Sequence, residues 1–171
     1  FKRVKNLVTA FAVANPAVNF SVNHNGSLVL KFSQAVDRFS QIFGEGLAYS
    51  ELKSERIQIS ALIGLRSLGH RGPRFIFVNR RLIWDRGIQR AIQEALAQVT
   101  KHDNDICGYI SLVIDPGEVD FNVHPNKMEV RFMNPELVFK MVYKCISNLR
   151  LLPSNQIQKG YSSCFDATND S

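Results

Sequence analysis

Residues 119 to 132 read Val-Asp-Phe-Asn-Val-His-Pro-Asn-Lys-Met-Glu-Val-Arg-Phe, and this stretch organises the fold of the chain. Apolar and polar residues alternate over its first five positions, which is the period of a half-buried strand. Pro125 ends that strand because it has no N–H to donate to a ladder. The alternation resumes at the end of the stretch. The pattern therefore predicts two strands with Asn126 and Lys127 at the loop tip between them.

Lys127 has two interpretations on spacing alone. Lysine is mostly exposed in proteins, so a solvated loop residue is the more common case. The alternative is a cation whose backbone is fixed by the rigid strands on either side. Asp120 and His124 lie on the same strand face but about 13 Å apart along it, so they cannot form a dyad. No serine or cysteine nucleophile stands near them in sequence, so the stretch predicts no hydrolytic site.

Composition limits the class of protein. The 171 residues are about the length of one domain, and 45% hydrophobic residues are enough for a core. No apolar run approaches the roughly 18 residues of a membrane helix, and no signal peptide is evident, so no membrane partner is expected. The chain begins with Phe1 instead of Met, which indicates a piece of a longer protein.

The three cysteines are an odd number without metal-ligand spacing, so no metal site is predicted. Cys107 and Cys145 lie in apolar runs and are expected to be buried thiols, whereas Cys164 lies in a polar segment. Unpaired thiols are typical of a reducing, intracellular compartment.

Positive charge concentrates in one part of the chain, which carries a net charge of +6. Residues 71–90 hold six of the twelve arginines and a single acid, Asp85. Such clustering indicates an anionic partner, with DNA as the leading candidate, although a solvated face gives the same pattern. The predicted DNA contacts are Arg80, Arg81, Arg86 and Arg90.

Hydrophobic periodicity divides the chain into helices and strands. In the first half of the chain it predicts a helix over 3–14, a hairpin over 18–32 that turns at Asn25-Gly26, a short helix over 36–43, and strands over 57–65 and 75–78. An extended piece over 82–84 and a helix over 88–99, capped by Asp85, follow. The last predicted elements are a strand over 109–114, the two strands of the 119–132 stretch, and a helix that begins at Asn134-Pro135. Residues 47–54 receive no assignment, and the strand over 57–65 is expected to have one polar face.

This order indicates an α+β fold in which one mixed sheet carries helices on one face, as a two-layer sandwich. After Pro153 the residues become polar and small, which is typical of a flexible linker. The expected organisation is a domain over residues 1–152 and the start of a linker over 153–171.

Two segments resemble one known family. Residues 122–132 are similar to the Asn-Val-His-Pro-x-Lys-x-Glu-Val-Arg-Phe signature of the MutL family of DNA mismatch-repair proteins. Residues 77–81, Phe-Val-Asn-Arg-Arg, resemble the Phe-Val-Asn-x-Arg segment that precedes it. The resemblance covers residues 1 to 150. It implies the transducer domain of the N-terminal ATPase half, with a fold resembling the second domain of ribosomal protein S-five and its left-handed crossover.

The resemblance also implies a function. Lys127 would contact the γ-phosphate of ATP bound in the preceding GHKL ATPase domain, with His124, Pro125 and Asn126 supporting the loop. ATP and Mg²⁺ would be cofactors of the full-length ATPase. The fragment by itself would hold no cofactor and no catalytic residue. Arg86 matches a basic position after the family's Val-Asn-x-Arg strand.

The implied partners are DNA, the ATPase domain, a second copy in a full-length homodimer and a MutS-type mismatch recognition protein. The implied location is the bacterial cytoplasm, or the nucleus for a eukaryotic homologue. A stand-alone nucleic-acid-binding module of the same fold remains the alternative.

Overall fold

The computed structural model describes residues 1–15, 17–33, 38–43, 47–64, 74–99, 107–123 and 128–151. Four predicted site residues, His124, Pro125, Asn126 and Lys127, therefore lie outside the described residues, and so does the predicted linker over 153–171.

The described part of the chain contains four α-helices, ten strands and a short 3₁₀ helix over Pro116–Glu118. The α-helices and strands are α1 Lys2–Ala14, β1 Phe20–His24, β2 Ser27–Phe32, α2 Arg38–Phe43, β3 Leu47–Lys53, β4 Ile57–Gly64, β5 Arg74–Val78, β6 Arg81–Ile83, α3 Arg86–Val99, β7 Cys107–Ile114, β8 Val119–Asp120, β9 Arg131–Phe132, α4 Pro135–Ser147 and β10 Arg150–Leu151. The predicted helices and the early hairpin are confirmed. The segment that received no assignment forms β3.

A six-stranded sheet with the order β10-β3-β4-β7-β5-β6 is the centre of the fold. Its neighbouring strands pair antiparallel, except β5 and β7, which run parallel with Ile76 opposite Ile110. The predicted α+β class with a mixed sheet is therefore confirmed. The hairpin β1–β2 forms a separate two-stranded sheet, and its turn places Asn25 and Gly26 at φ values of 52° and 77°, as the Asn-Gly signal predicts.

Both faces of the sheet are covered, which corrects the expectation of helices on one face. One face packs with α3 and α4 around β4 residues Ile57, Ile59, Ala61 and Ile63. On the other face, α1 and Phe43 of α2 contribute to the cluster that contains Leu62. For the same reason the predicted polar face of β4 is wrong, because Ser60 and Leu62 are buried.

A buried arginine joins the elements of the second face. Arg38 is 1% exposed and donates hydrogen bonds to the carbonyl oxygens of Ala12, Asn15 and Ser33 at 3.1, 2.8 and 2.7 Å. Its guanidinium also lies 5.8 Å from the centre of the Phe20 ring. Carbonyls at a helix C-terminus carry partial negative charge, so this cation stabilises the end of α1. It thereby attaches the β1–β2 hairpin to α1.

The close approach of β7 to β4 depends on a glycine. Gly108 has a φ of 150°, and a Cβ at that position would collide with the carbonyl oxygen of Leu62 and lie 2.9 Å from the Cα of Ile63. Neither neighbour can move easily, because both belong to the backbone of a central strand. Gly26, in the outer hairpin, also has positive φ, but a methyl group placed there would meet nothing within 4 Å.

We therefore expect Gly108→Ala to lower the free energy of unfolding by about 2–4 kcal/mol through backbone strain and overpacking. Gly26→Ala is the matched control and should cost about 1 kcal/mol, because only its left-handed conformation is strained. Urea unfolding of the purified variants, followed by circular dichroism, measures both. Equal losses in the two variants would contradict the predicted close contact.

Candidate functional site

The strand predicted for residues 119–123 is shorter in the structure. β8 contains only Val119 and Asp120, which pair with Phe132 and Arg131 of β9. The Asp120 side chain then accepts a hydrogen bond from the backbone N–H of Asn122 at 2.7 Å. Such a local side-chain bond competes with a strand ladder, so the chain leaves the ladder at this point. The expected five-residue strand is wrong for that reason.

Both ends of the segment that contains Lys127 contact the same part of the chain. On the entry side, the guanidinium of Arg81 lies 4.8 Å from the centre of the Phe121 ring. On the exit side, the backbone N–H of Trp84 donates to the carbonyl oxygen of Met128 at 2.6 Å. Arg81 begins β6 and Trp84 directly follows it. The segment after β8 and the segment before β9 are thus held by β6 and the residue that follows it, at the sheet edge.

The β5–β6 hairpin that supplies this strand has a two-residue turn. Val78 pairs with Arg81, and the residues between them, Asn79 and Arg80, have φ values of 47° and 66°. Asparagine tolerates this left-handed conformation better than most residues. The turn closes tightly, so Arg80 lies at the tip of the hairpin and Arg81 forms the first strand pair after it.

Asn79 also attaches the hairpin to the centre of the sheet. Its side-chain oxygen accepts from the N–H of Ile114 and its side-chain nitrogen donates to the carbonyl oxygen of Ile114, both at 2.9 Å. Its backbone N–H donates to Leu112 at 2.9 Å. The side chain therefore continues the β5–β7 ladder beyond the last strand residue. No sequence pattern predicted this role, although the Phe-Val-Asn-x-Arg segment marked the position.

The four arginines predicted to bind DNA are all exposed, but their surroundings differ. Arg81 lies over Phe121. Arg90 pairs with Glu94 at 2.6 Å and lies 5.9 Å from the centre of the Phe139 ring. Neither Arg80 nor Arg86 forms an ion pair with any residue in the described ranges.

Arg86 and Arg90 share one face of α3, because residues four apart on a helix are neighbours. The single acid of the arginine-rich segment, Asp85, accepts a hydrogen bond from the N–H of Ile88 at 2.8 Å. The predicted N-cap is confirmed. The carboxylate of Asp85 is thus directed to the helix backbone.

The other chemical groups are structural. Cys107 and Cys145 are buried free thiols, as predicted, and burial raises the pKa of the Cys107 thiol above its ordinary value. Cys164 lies outside the described residues. In the described ranges, no three His, Cys, Asp or Glu side chains come together as a metal-binding group. No helix in that part of the chain is long and apolar enough to cross a membrane.

These features define a class of protein domain: a mixed-sheet α+β domain with a basic hairpin that supports a lysine-containing connection. The family described as DNA mismatch repair protein, C-terminal domain, matches residues 38–150. The chain therefore belongs to this DNA mismatch repair family, and MutL proteins are among the relatives that it matches.

Two of these relatives show the extent of the similarity. MutL of Mannheimia succiniciproducens is 29% identical over 161 residues, which cover 86% of this chain and 25% of that protein. MutL of Thermodesulfovibrio yellowstonii is 32% identical over 146 residues, covering 80% of this chain and 26% of that protein. The chain thus spans about a quarter of the length of these relatives.

Solved structures share the fold. The N terminal domain of a DNA repair protein superimposes with a TM-score of 0.68 at 20% identity, covering 85% of this chain and 52% of that one. The ATPase domain of Aquifex aeolicus MutL gives 0.60 at 18% identity, covering 86% and 51%. The same Aquifex domain complexed with ADP gives 0.54 at 17% identity, covering 84% and 47%.

We expect Asn79→Ala to lower the free energy of unfolding by about 2–3 kcal/mol, because it leaves both backbone groups of Ile114 without their side-chain partners. Asn25→Ala is the control, since Asn25 has a similar φ of 52° in the outer hairpin turn; it should cost less. Chemical denaturation gives the two values, and hydrogen exchange at Ile114 should accelerate only in Asn79→Ala. A larger effect in Asn25→Ala would contradict the assigned role.

Proposed function

We propose that this chain is the transducer domain of a MutL-type ATPase and that it completes a neighbouring ATP site through Lys127. The observation that carries the proposal is the match of residues 122–132 to the family signature, in a chain that belongs to the mismatch repair family. The contacts at Phe121 and Met128 support it, because they attach the two ends of the connection containing Lys127 to Arg81 and Trp84 at the sheet edge. The proposed domain covers residues 1–152, with a linker beginning at 153.

Lys127 would act as a compact point charge on the γ-phosphate oxygens. His124, Pro125 and Asn126 would support its loop, and Pro125 would reduce the conformational entropy lost when the lysine docks. Hydrolysis removes the γ-phosphate, so the contact and the domain posture that depends on it would be released. A solved Aquifex aeolicus MutL domain of this fold is complexed with ADP, which supports a nucleotide partner.

In this proposal the preceding GHKL ATPase domain holds ATP and Mg²⁺ and supplies the catalytic groups. This chain supplies one cation, and so it would not be an enzyme alone. The full-length protein would be an ATPase and a homodimer that acts with a MutS-type mismatch recognition protein in the bacterial cytoplasm, or in the nucleus of a eukaryote. The proposed fold is the ribosomal protein S-five second-domain type with its left-handed crossover.

DNA is the second proposed partner, through Arg80, Arg81, Arg86 and Arg90. The exposure of these arginines and the lack of ion pairs to Arg80 and Arg86 in the described part of the chain favour contacts to the phosphate backbone. The same surface would serve a stand-alone nucleic-acid-binding module. The two functions differ in one respect, because only the transducer needs Lys127 for ATP turnover.

We expect Lys127→Ala in the full-length protein to reduce kcat/KM for ATP hydrolysis by about one to two orders of magnitude, since a hydrogen bond to a charged group contributes roughly 1.5–3 kcal/mol. Steady-state hydrolysis measures the change. Lys53→Ala, which removes an exposed lysine at the end of β3, is the control and should match the wild type. Wild-type kinetics in Lys127→Ala would leave the nucleic-acid-binding module as the function.

We expect Arg86→Glu to weaken duplex DNA binding and to flatten its salt dependence, because each phosphate contact contributes about −0.9 to the slope of log K against log salt concentration. Arg150→Glu makes the same charge change in β10, at the opposite edge of the sheet from β6. Titrations at several salt concentrations compare the two variants. Equal affinity and slope for both would exclude a local contact at Arg86.

A further inference from the structure

We propose that Arg81, through its contact with Phe121, is a positioning residue for Lys127. Arg81 and Trp84 each hold one end of the lysine-containing connection, and these two contacts together are called the clasp. This inference rests on the proposed function and deepens it. It gives Arg81 a task that charge patterning did not reveal.

The two contacts act on opposite ends of one connection. Arg81 holds the entry side at Phe121, and the N–H of Trp84 holds the exit side at Met128. Positions 81 and 84 are three residues apart in an extended segment, a rise of about 10 Å. Holding the ends of a connection at a fixed separation reduces the conformations open to the residues between them. A lysine in that connection then loses less entropy when it binds phosphate.

The entry side of this clasp, Arg81 and Phe121, is itself fixed to the core. Phe121 is half-buried and packs against the core cluster formed with α3 and α4. Arg81 pairs with Val78 next to the hairpin turn, and Asn79 in that turn bonds the hairpin to Ile114 of β7. The contact between Arg81 and Phe121 therefore holds the start of the connection in a fixed position relative to the centre of the sheet.

Loss of the clasp should change KM for ATP, whereas loss of a purely structural contact should change kcat. An exposed cation–π contact corresponds to about a two- to fivefold change in an equilibrium constant. Losing the contact should raise KM for ATP by that factor and leave kcat nearly unchanged, because saturating ATP restores the docked lysine. A general loss of folding would instead lower the active fraction and therefore kcat.

The experiment compares Arg81→Gln, Phe121→Leu and their double variant in the full-length protein. Arg150→Gln controls for the loss of one arginine charge, and Phe121→Leu removes the ring without changing any charge. Both single variants should raise KM for ATP, and the double variant should raise it no further, because one contact is lost in each case. Arg81→Lys and Phe121→Tyr keep a cation and a ring, and both should restore most of the wild-type KM.

Hydrogen exchange gives a readout that does not depend on activity. Peptides covering residues 82–86 and 128–132 should exchange faster in Arg81→Gln and Phe121→Leu than in Arg150→Gln. If Lys127→Ala impairs hydrolysis while both clasp variants behave like Arg150→Gln, or if their effects add in the double variant, the clasp is overturned and the proposed function stands. If Lys127→Ala hydrolyses ATP like the wild type, the proposed function fails and the clasp fails with it.

Discussion

The paired hydrogen bonds between the Asn79 side chain and the backbone of Ile114 are the interaction on which the site depends. They take the place of a pair of backbone hydrogen bonds between β5 and β7, just after the last residue of β5. The hairpin is therefore fixed to β7 at the centre of the sheet. β6 follows from that turn, and Arg81 in β6 and Trp84 directly after it contact the two ends of the connection between β8 and β9. This anchor adds to the pairing of the short edge strand with β5 and to the burial of Ile83 in the core.

Burial on both faces of the sheet gives the anchor its rigidity. α3 and α4 cover one face, while α1 and Phe43 cover the other. Close packing of this kind has few alternative arrangements, so it holds the hairpin and the core side of Phe121 in one position. The proposed lysine contact requires such a rigid support, because a cation binds the γ-phosphate well only when its backbone is held in position. The packing of the core therefore contributes to the proposed function.

Local sequence patterns predicted the elements that local forces determine. The Asn25-Gly26 turn and the Asp85 cap were predictable, because each depends on residues within a few positions. The strand from 119 to 123 was not, since the bond from Asn122 to Asp120 takes the chain out of the ladder. The polar face expected for β4 failed because periodicity cannot show that a second layer covers Ser60.

The candidate site likewise has residues that the sequence predicts and contacts that it does not predict. Lys127 was predicted from a motif, and the exposed arginines from charge. The pairing of Arg81 with Phe121 and of Trp84 with Met128 joins positions about forty residues apart, and no period in the sequence connects them. Arginine clustering predicts the same DNA-contacting role for four residues, although their surroundings differ. Arg81 and Arg90 lie against aromatic rings, whereas Arg80 and Arg86 do not in the described part of the chain.

In the proposed function Lys127 binds the γ-phosphate, and the effect of this contact passes to the sheet edge through the two ends of the connection. The most direct test is hydrogen exchange of the full-length protein with and without a non-hydrolysable ATP analogue, at concentrations that saturate both the wild type and Lys127→Ala. The analogue should slow exchange in the peptide covering 128–132 of the wild type and should have no such effect in Lys127→Ala. Equal protection in both proteins, or none in the wild type, would contradict this prediction.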